Sequence, residues 1–421
     1  MIASIAMLVE SIDRLVARTV SVLRRRLSGC DADSRSIRVT SVRILFSFVG
    51  GNGHFEPLIP IARASMAAGH PVAFVAQHSM TDAVRDVGFS VFAVGEAPQP
   101  PARQPLGALD MEHELRVVRE VFAGRIATGR ARFCLDLAAS WRPDLIVCDE
   151  MDMGAMLAAE RLGIPYASVV VIAAGGFVCR AGVNQQLDAL RVELGLPPDP
   201  ELKALGRHLV LEPVPPGFRD PGDPLPATAR TIRPRVLEEP VPPRRPATDR
   251  LTVYFTLGTI FNLESGDLFE RALDGLRTLP VNLVVTVGRD IDPAVFGPQP
   301  EHVRIERYIP QPEVLAVADL VVSHAGSGTV LGALAYGLPM VLLPIGADQP
   351  LNADRCAALG VAQVLDPARA TPQAIAEAAA AVLAEPTYRA AARRLQMAAL
   401  ALPGAQEAVR LLEGLARLDR V

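Results

Sequence analysis

The stretch Leu320-Val-Val-Ser-His-Ala-Gly-Ser-Gly-Thr-Val-Leu331 decides how this chain is read, together with Gly337-Leu-Pro-Met-Val-Leu-Leu-Pro344 and Gly346-Ala-Asp-Gln-Pro-Leu-Asn352 behind it. Branched apolar residues run up to Ser323, a His and small residues follow, and a helix-like run starts at Thr329. The pattern predicts a buried parallel strand that turns sharply into a helix N-terminus. Gly326 and Gly328 let a ligand come close to the backbone. The first N–H groups of the helix have no partner inside it, so an anion can take them. Ser327 and Thr329 add hydroxyls and His324 adds an imidazole, which suits a diphosphate. A tight turn with no ligand is the plain alternative. A second apolar strand, Met340 to Leu343, then brings Asp348, Gln349 and Asn352 to the same carboxyl-end edge, where open α/β sheets bind ligands. Carboxylate and amide groups suit sugar hydroxyls, so turn and edge together point to a nucleotide-sugar.

Upstream, Leu251-Thr-Val-Tyr-Phe-Thr-Leu-Gly-Thr259 repeats the strand-turn-helix design, with Gly258 and Thr259 expected beside His324. Strands are expected at 281–287 and 303–305, the latter leading into Tyr308-Ile-Pro-Gln311. Nearer the N-terminus, Arg43 to Val49 reads as a core strand, Gly50-Gly-Asn-Gly-His-Phe-Glu-Pro57 as a loop, and the following residues as a helix to about Ala68. Strands at 71–76 and 89–94 with a helix between them make a βαβ alternation, which implies a parallel sheet. Gly51-Asn-Gly-His-Phe-Glu lacks the third glycine of a dinucleotide fingerprint, and Gln77 stands where an acidic residue would hold a ribose, so nicotinamide binding is not expected. His54 sits in the Gly-rich loop; an ordinary imidazole titrates near 6.5 and can take a hydroxyl proton at neutral pH. Another buried strand, Asp144 to Asp149, ends in a carboxylate with Glu150 and Asp152 close behind. Such groups are either helix caps or site residues. Fourteen prolines between Pro197 and Pro246 argue against regular helix or central strand there and place a boundary near 230–250.

The segments Arg307-Tyr-Ile-Pro-Gln-Pro-Glu-Val-Leu315, His324-Ala-Gly-Ser-Gly-Thr329, Gly337-Leu-Pro339 and Gly346-Ala-Asp-Gln-Pro-Leu-Asn-Ala353 together resemble the donor-binding signature of family 1 glycosyltransferases. The bacterial natural-product branch is nearest, since plant members carry Cys-Gly-Trp-Asn in the turn. The resemblance covers about residues 42–415 and implies an α/β fold of two facing doubly wound Rossmann-like domains, called GT-B, with an interdomain cleft. An N-terminal extension (1–41) would precede an acceptor-binding domain (42–230). A Pro-rich linker (231–250), a nucleotide-sugar domain (251–403) and a C-terminal helix crossing back to the first domain (404–421) would follow.

The implied activity is an inverting, metal-independent transfer from a UDP- or dTDP-sugar to a hydroxyl of a hydrophobic natural-product aglycone. By the resemblance, His54 is the general base and Asp149 orients it, with Glu150 as the second choice. Gly258, Thr259, His324, Gly326, Ser327, Gly328 and Thr329 would surround the diphosphate. Tyr308, Ile309 and Gln311 would hold the base and ribose, Tyr308 standing where the family commonly has Trp. Asp348, Gln349 and Asn352 would read the sugar. The nucleotide-sugar is a co-substrate, and neither a cofactor nor a metal is expected. Two alternatives remain open at this point: a GT-B sugar-nucleotide epimerase or hydrolase, and a non-catalytic partner of a glycosyltransferase.

Composition sets the outer bounds. A length of 421 residues favours two domains, and a net charge of −4 gives no case for nucleic acid. Five cysteines without a Cys-x-x-Cys pair argue for free thiols in the cytoplasm. No apolar run of about 18 residues occurs, so no stable membrane insertion is expected. Ile5, Leu8, Val9, Ile12, Leu15, Val16, Val20 and Leu23 recur at helical spacing before Arg24-Arg-Arg26, which reads as a basic amphipathic helix or a loosely attached extension. A homodimer or a helper protein is left open.

Overall fold

The computed structural model describes residues 41–95, 104–238, 249–259 and 262–418; the expected N-terminal helix and part of the linker lie outside them. The first sheet has seven strands in the order β3-β2-β1-β4-β5-β6-β7. These are β1 (Ile44–Ser47), β2 (Val72–Gln77), β3 (Val91–Val94), β4 (Leu145–Asp149), β5 (Tyr166–Val169), β6 (Leu209–Glu212) and β7 (Ala229–Thr231). The second has six, in the order β10-β9-β8-β11-β12-β13. These are β8 (Thr252–Thr256), β9 (Asn282–Thr286), β10 (Val303–Glu306), β11 (Leu320–Ser323), β12 (Met340–Leu342) and β13 (Ala362–Val364). Every described pairing in both sheets is parallel. Strands buried on both faces need apolar residues throughout, which is why β1, β4, β8 and β11 read as unbroken apolar runs.

In each sheet the chain order reverses once, between β1 and β4 and between β8 and β11. A crevice opens at the carboxyl ends of the strands flanking such a reversal. His54 follows β1, Asp149 ends β4, Gly258 follows β8 and His324 follows β11. Topology alone therefore gathers the two pairs of residues picked out by sequence.

Three expectations need correcting. His54 is not in an open loop. It lies in a one-turn helix, α1 (Asn52–Phe55), which runs through a tight turn into α2 (Ile59–Ala67). Phe55 drives this early start by burying against Phe48 and Phe74. The Pro-rich stretch does contain strands: Leu209-Val-Leu-Glu212 is a proline-free window that pairs with β5, and β7 closes the edge. A short helix, Phe177–Ala181, was not expected at all.

The last helix, α3 (Ala405–Leu418), packs on α2 of the first lobe. Ala408, Leu412 and Ala416 join the core built on Phe46, Leu58 and Phe74. Glu413 meets the His70 ring at 3.1 Å, and Arg233 donates its backbone N–H to Pro403 at 2.8 Å. The C-terminal segment thus straps the second lobe to the first. Among the described residues, no helix is long and apolar enough to cross a membrane.

Candidate active site

Asp149 is fully buried at the end of β4. Its Oδ2 accepts the Val49 N–H and its Oδ1 the Met151 N–H, both at 2.7 Å. Those bonds fix the carboxylate, and His54 Nδ1 stands 3.3 Å from Oδ1. The contact is close but off the ideal hydrogen-bond line, a looseness common in sites without substrate. Helix capping falls to a different residue: Asp152 accepts the Ala155 N–H at the start of the Met153–Leu162 helix and the Ser47 hydroxyl at 2.6 Å. Burial works to lower the His54 pKa, but Asp149, Asp348 and Glu150 outweigh it and hold the imidazole above its ordinary value. Asp348 belongs to the other lobe, so His54 feels carboxylates from both.

Gly50 is the residue that sequence reasoning missed here. Its φ is +97°, and a Cβ on it would lie 2.7 Å from His54 Cδ2 and 2.9 Å from Nε2. Glycine is required twice over, by backbone conformation and by the ring packed against it. Glu56, just past His54, pairs with Arg235 of the interdomain segment at 2.8 Å.

In the second lobe the turn after β11 leads into α4's equivalent of the expected helix, Ser327–Ala335, with Gly326 as its N-cap. His324 is buried, and that burial lowers its pKa to about 4, so the ring is a neutral donor or acceptor at pH 7. It fits a slot between two glycines: a Cβ on Gly258 would lie 2.6 Å from His324 Nε2, and one on Gly326 2.5 Å. Ala325 holds φ +66° and Ala347 φ +52°. Left-handed alanines are strained, and such strain gathers at functional turns. A Cβ on Gly328 would meet only open space, so no protein group demands glycine there.

The polar residues of the second lobe form one network. Ser327 donates to Asp348 Oδ2 at 2.6 Å; Asn352 Nδ2 donates to the same oxygen at 2.7 Å and to Ala325 O at 3.0 Å. Burial raises the Asp348 pKa while these donors oppose it. The network also crosses the cleft. The Ala173 N–H donates to Ser327 Oγ at 2.9 Å and the Ala174 N–H to Asn352 Oδ1 at 3.0 Å. Arg355 adds bonds to the Phe218 and Gly217 carbonyls at 2.6 and 2.7 Å. Gln349 departs from expectation: its Oε1 turns inward to accept the Ile345 and Gly346 N–H groups. It shapes the loop that carries Asp348.

Tyr308 is half exposed, with the Arg289 guanidinium 5.2 Å from its ring centroid. Ile309 is half-buried against the second-lobe core, and Gln311 reaches Thr329 Oγ1 at 3.4 Å. Thr259 is exposed beside Gly258. All the residues expected at the donor side therefore ring the carboxyl ends of β8, β10, β11 and β12. Among the described residues, no group of three His, Cys, Asp or Glu side chains is placed to hold a metal ion.

Residues 270–415 match the family described as "Erythromycin biosynthesis protein CIII-like, C-terminal domain". The chain is 27% identical to 10-deoxymethynolide desosaminyltransferase of Streptomyces venezuelae, over 90% of this chain and 98% of that one. It is 26% identical to 4'-demethylrebeccamycin synthase of Lentzea aerocolonigenes, over 89% and 99%. The structure of spinosyn rhamnosyltransferase SpnG complexed with thymidine diphosphate superposes with a TM-score of 0.72 at 23% identity, covering 88% of this chain and all of that one (100%). The chain belongs to the GT-B glycosyltransferases of bacterial antibiotic biosynthesis.

Proposed function

We propose that the chain moves a sugar, with inversion and without a metal, from a dTDP- or UDP-sugar to a hydroxyl of a hydrophobic natural-product aglycone. One observation carries this reading: His54 lies at the first lobe's strand reversal, paired with Asp149, and within electrostatic reach of Asp348 from the second lobe's reversal. With Nδ1 turned to Asp149, the tautomer that leaves Nε2 as proton acceptor is favoured. Nε2 takes the acceptor's hydroxyl proton. The oxygen then attacks the anomeric carbon, the bond to the diphosphate breaks, and the diphosphate leaves with the electron pair.

The departing group's charge is met by the N–H groups at Gly326–Thr329 and by the neutral His324. Each such contact is worth on the order of 1–3 kcal/mol in a closed site. Thymidine diphosphate in the SpnG structure supports a thymidine donor, and the desosaminyltransferase's named acceptor supports a macrolide-sized aglycone class. Free thiols at Cys134, Cys148, Cys179 and Cys356 support a reducing, cytosolic setting.

The test is steady-state transfer from dTDP-glucose to a phenolic acceptor. His54→Ala should lower turnover by roughly 10²–10⁴-fold and leave dTDP affinity unchanged. Collapse of dTDP affinity with turnover intact in saturating donor overturns the base assignment.

A further inference from the structure

A cavity of about 590 Å³ opens in the first lobe beside the catalytic carboxylate but apart from the donor side. That volume is within the range of small-molecule pockets, roughly 300–1,000 Å³. Val170, Ile172, Phe177, Leu205, Val210 and Leu225 supply an apolar wall. The polar groups are concentrated at Glu150, Arg219 and Asp223. Convergent polar groups in an apolar pocket are the signature of a site that fixes one end of a ligand and excludes water from the rest.

The polar end is held rigidly. Glu150 Oε1 accepts the Val171 and Ile172 N–H groups, both at 2.6 Å. Arg219 pairs with Asp223 at 2.6 Å and donates to the Asp223 carbonyl at 2.8 Å. Asp223 in turn accepts the Gly176 N–H at 2.6 Å. Gly175, at φ +77°, lies under this ion pair; a Cβ there would be 2.6 Å from Asp223 Oδ2 and 2.7 Å from Arg219 Cζ. The pair is therefore clamped to a two-glycine turn.

The cavity's position ties it to the reaction. Glu150 is the neighbour of Asp149, and its charge acts on His54. Ile172 and Gly175 flank Ala173 and Ala174, whose N–H groups touch Ser327 and Asn352 of the other lobe. The pocket thus begins where the first lobe meets the donor turn.

We infer that this cavity receives the apolar body of the acceptor and that Glu150 reads a hydroxyl or amine donor on it. The inference rests on the transfer reading above. Arg219 and Asp223 neutralise each other, so the remaining carboxyl favours neutral or basic molecules over acids. The occupant is a largely apolar, ring-containing compound with a hydrogen-bond donor at one end.

Val178 and Cys179 line the cavity, and Cys179 is exposed whereas Cys134, Cys148 and Cys356 are buried. In a Cys30→Ser background, Cys179 is thus the thiol open to N-ethylmaleimide. The probe is 4-methylumbelliferone, a neutral planar phenol, titrated by fluorescence at pH 6. Val178→Trp should weaken its binding by tenfold or more and leave dTDP affinity unchanged. The probe should also slow Cys179 alkylation at least fivefold. Glu150→Gln should weaken the probe less than the Trp variant.

Equal probe binding by wild type and a folded Val178→Trp protein, absent probe binding, or absent protection of Cys179 overturns the assignment. The transfer reading survives each of these outcomes if dTDP still binds and dTDP-sugar is still turned over. Loss of both in the wild-type protein overturns the reading itself.

Discussion

His54 Nδ1 lies 3.3 Å from Asp149 Oδ1, and Asp149 is itself locked by two backbone N–H groups. The carboxylate therefore cannot follow the ring; the ring's orientation is set by the strand end. Asp149→Asn keeps one oxygen for those N–H groups but loses the charge. Two effects follow. The imidazolium that forms during proton transfer loses its stabilising anion, so turnover should fall, by on the order of 10²–10⁴-fold if base catalysis is largely lost. Burial then dominates the His54 pKa, which now sits above 6.5 because Asp149 outweighs burial. A base must be deprotonated to act, so activity rises with pH through its pKa. The acid limb of the kcat/KM profile should move to lower pH in Asp149→Asn. A limb that stays in place would sink the pairing.

Gly50 offers a second handle on the same ring. Gly50→Ala sets a methyl 2.7 Å from His54 Cδ2 and forces a left-handed alanine, a strain of roughly 1–2 kcal/mol. The ring is displaced from the cleft while Asp149 and the donor side are untouched. Expected are a fall in kcat of about a hundredfold or more and unchanged dTDP affinity by calorimetry. Unaltered kcat in the folded variant would show that His54 has freedom to reposition.

Parts of this site could be read from the chain and parts could not. The donor turn was legible because strand, small-residue turn and helix are contiguous in Leu320–Leu331 and every element carries its own local signal. Pairing His54 with Asp149 was different: each ends a strand, but only the resemblance joined them before the β1–β4 reversal did. Gly50 sat inside a quoted motif, yet its role depends on where the His54 ring folds back. The cleft-spanning bonds were invisible because Ser327 and Asn352 accept from the backbone N–H groups of Ala173 and Ala174, and backbone donors carry no sequence signature. β6 was hidden by the prolines around it, since four strand residues between Gly206 and Pro213 fall below any periodicity signal. Gln349 has the right chemistry for a sugar, but a nearer demand from Ile345 and Gly346 claims its oxygen.

Gly326 allows the His324 slot to be tested without backbone strain. Its φ is −62°, which alanine tolerates, so Gly326→Ala acts through sterics alone: a methyl 2.5 Å from His324 Nε2. Displacing the ring removes one neutral donor from the departing diphosphate. The loss of such a contact is worth on the order of 1–3 kcal/mol, so dTDP affinity should fall by roughly ten- to a hundredfold with little change in Tm. Because His324 titrates near 4, its contribution should not vary between pH 6 and 8. Unchanged dTDP binding in Gly326→Ala would remove His324 from the donor site.

Glu150 ties stability to pH. Burial pushes its carboxyl up to about 7, against the opposing pull of Arg219 and of the Val171 and Ile172 N–H groups. The unfolded chain ionises this group near its ordinary 4.5. Between those values the folded state binds more protons than the unfolded one, so the contribution is full below pH 4.5 and is lost as pH rises to about 7. The difference amounts to on the order of 3 kcal/mol. Glu150→Gln keeps an oxygen for both backbone N–H groups and has no charge to bury. The variant's Tm relative to wild type should therefore improve steadily from pH 5 to pH 8, because other titrating groups cancel in the comparison. A difference that stays flat over that range would mean that Glu150 ionises in the folded protein as it does in water, and that the cavity's inner end is wetter than its geometry implies.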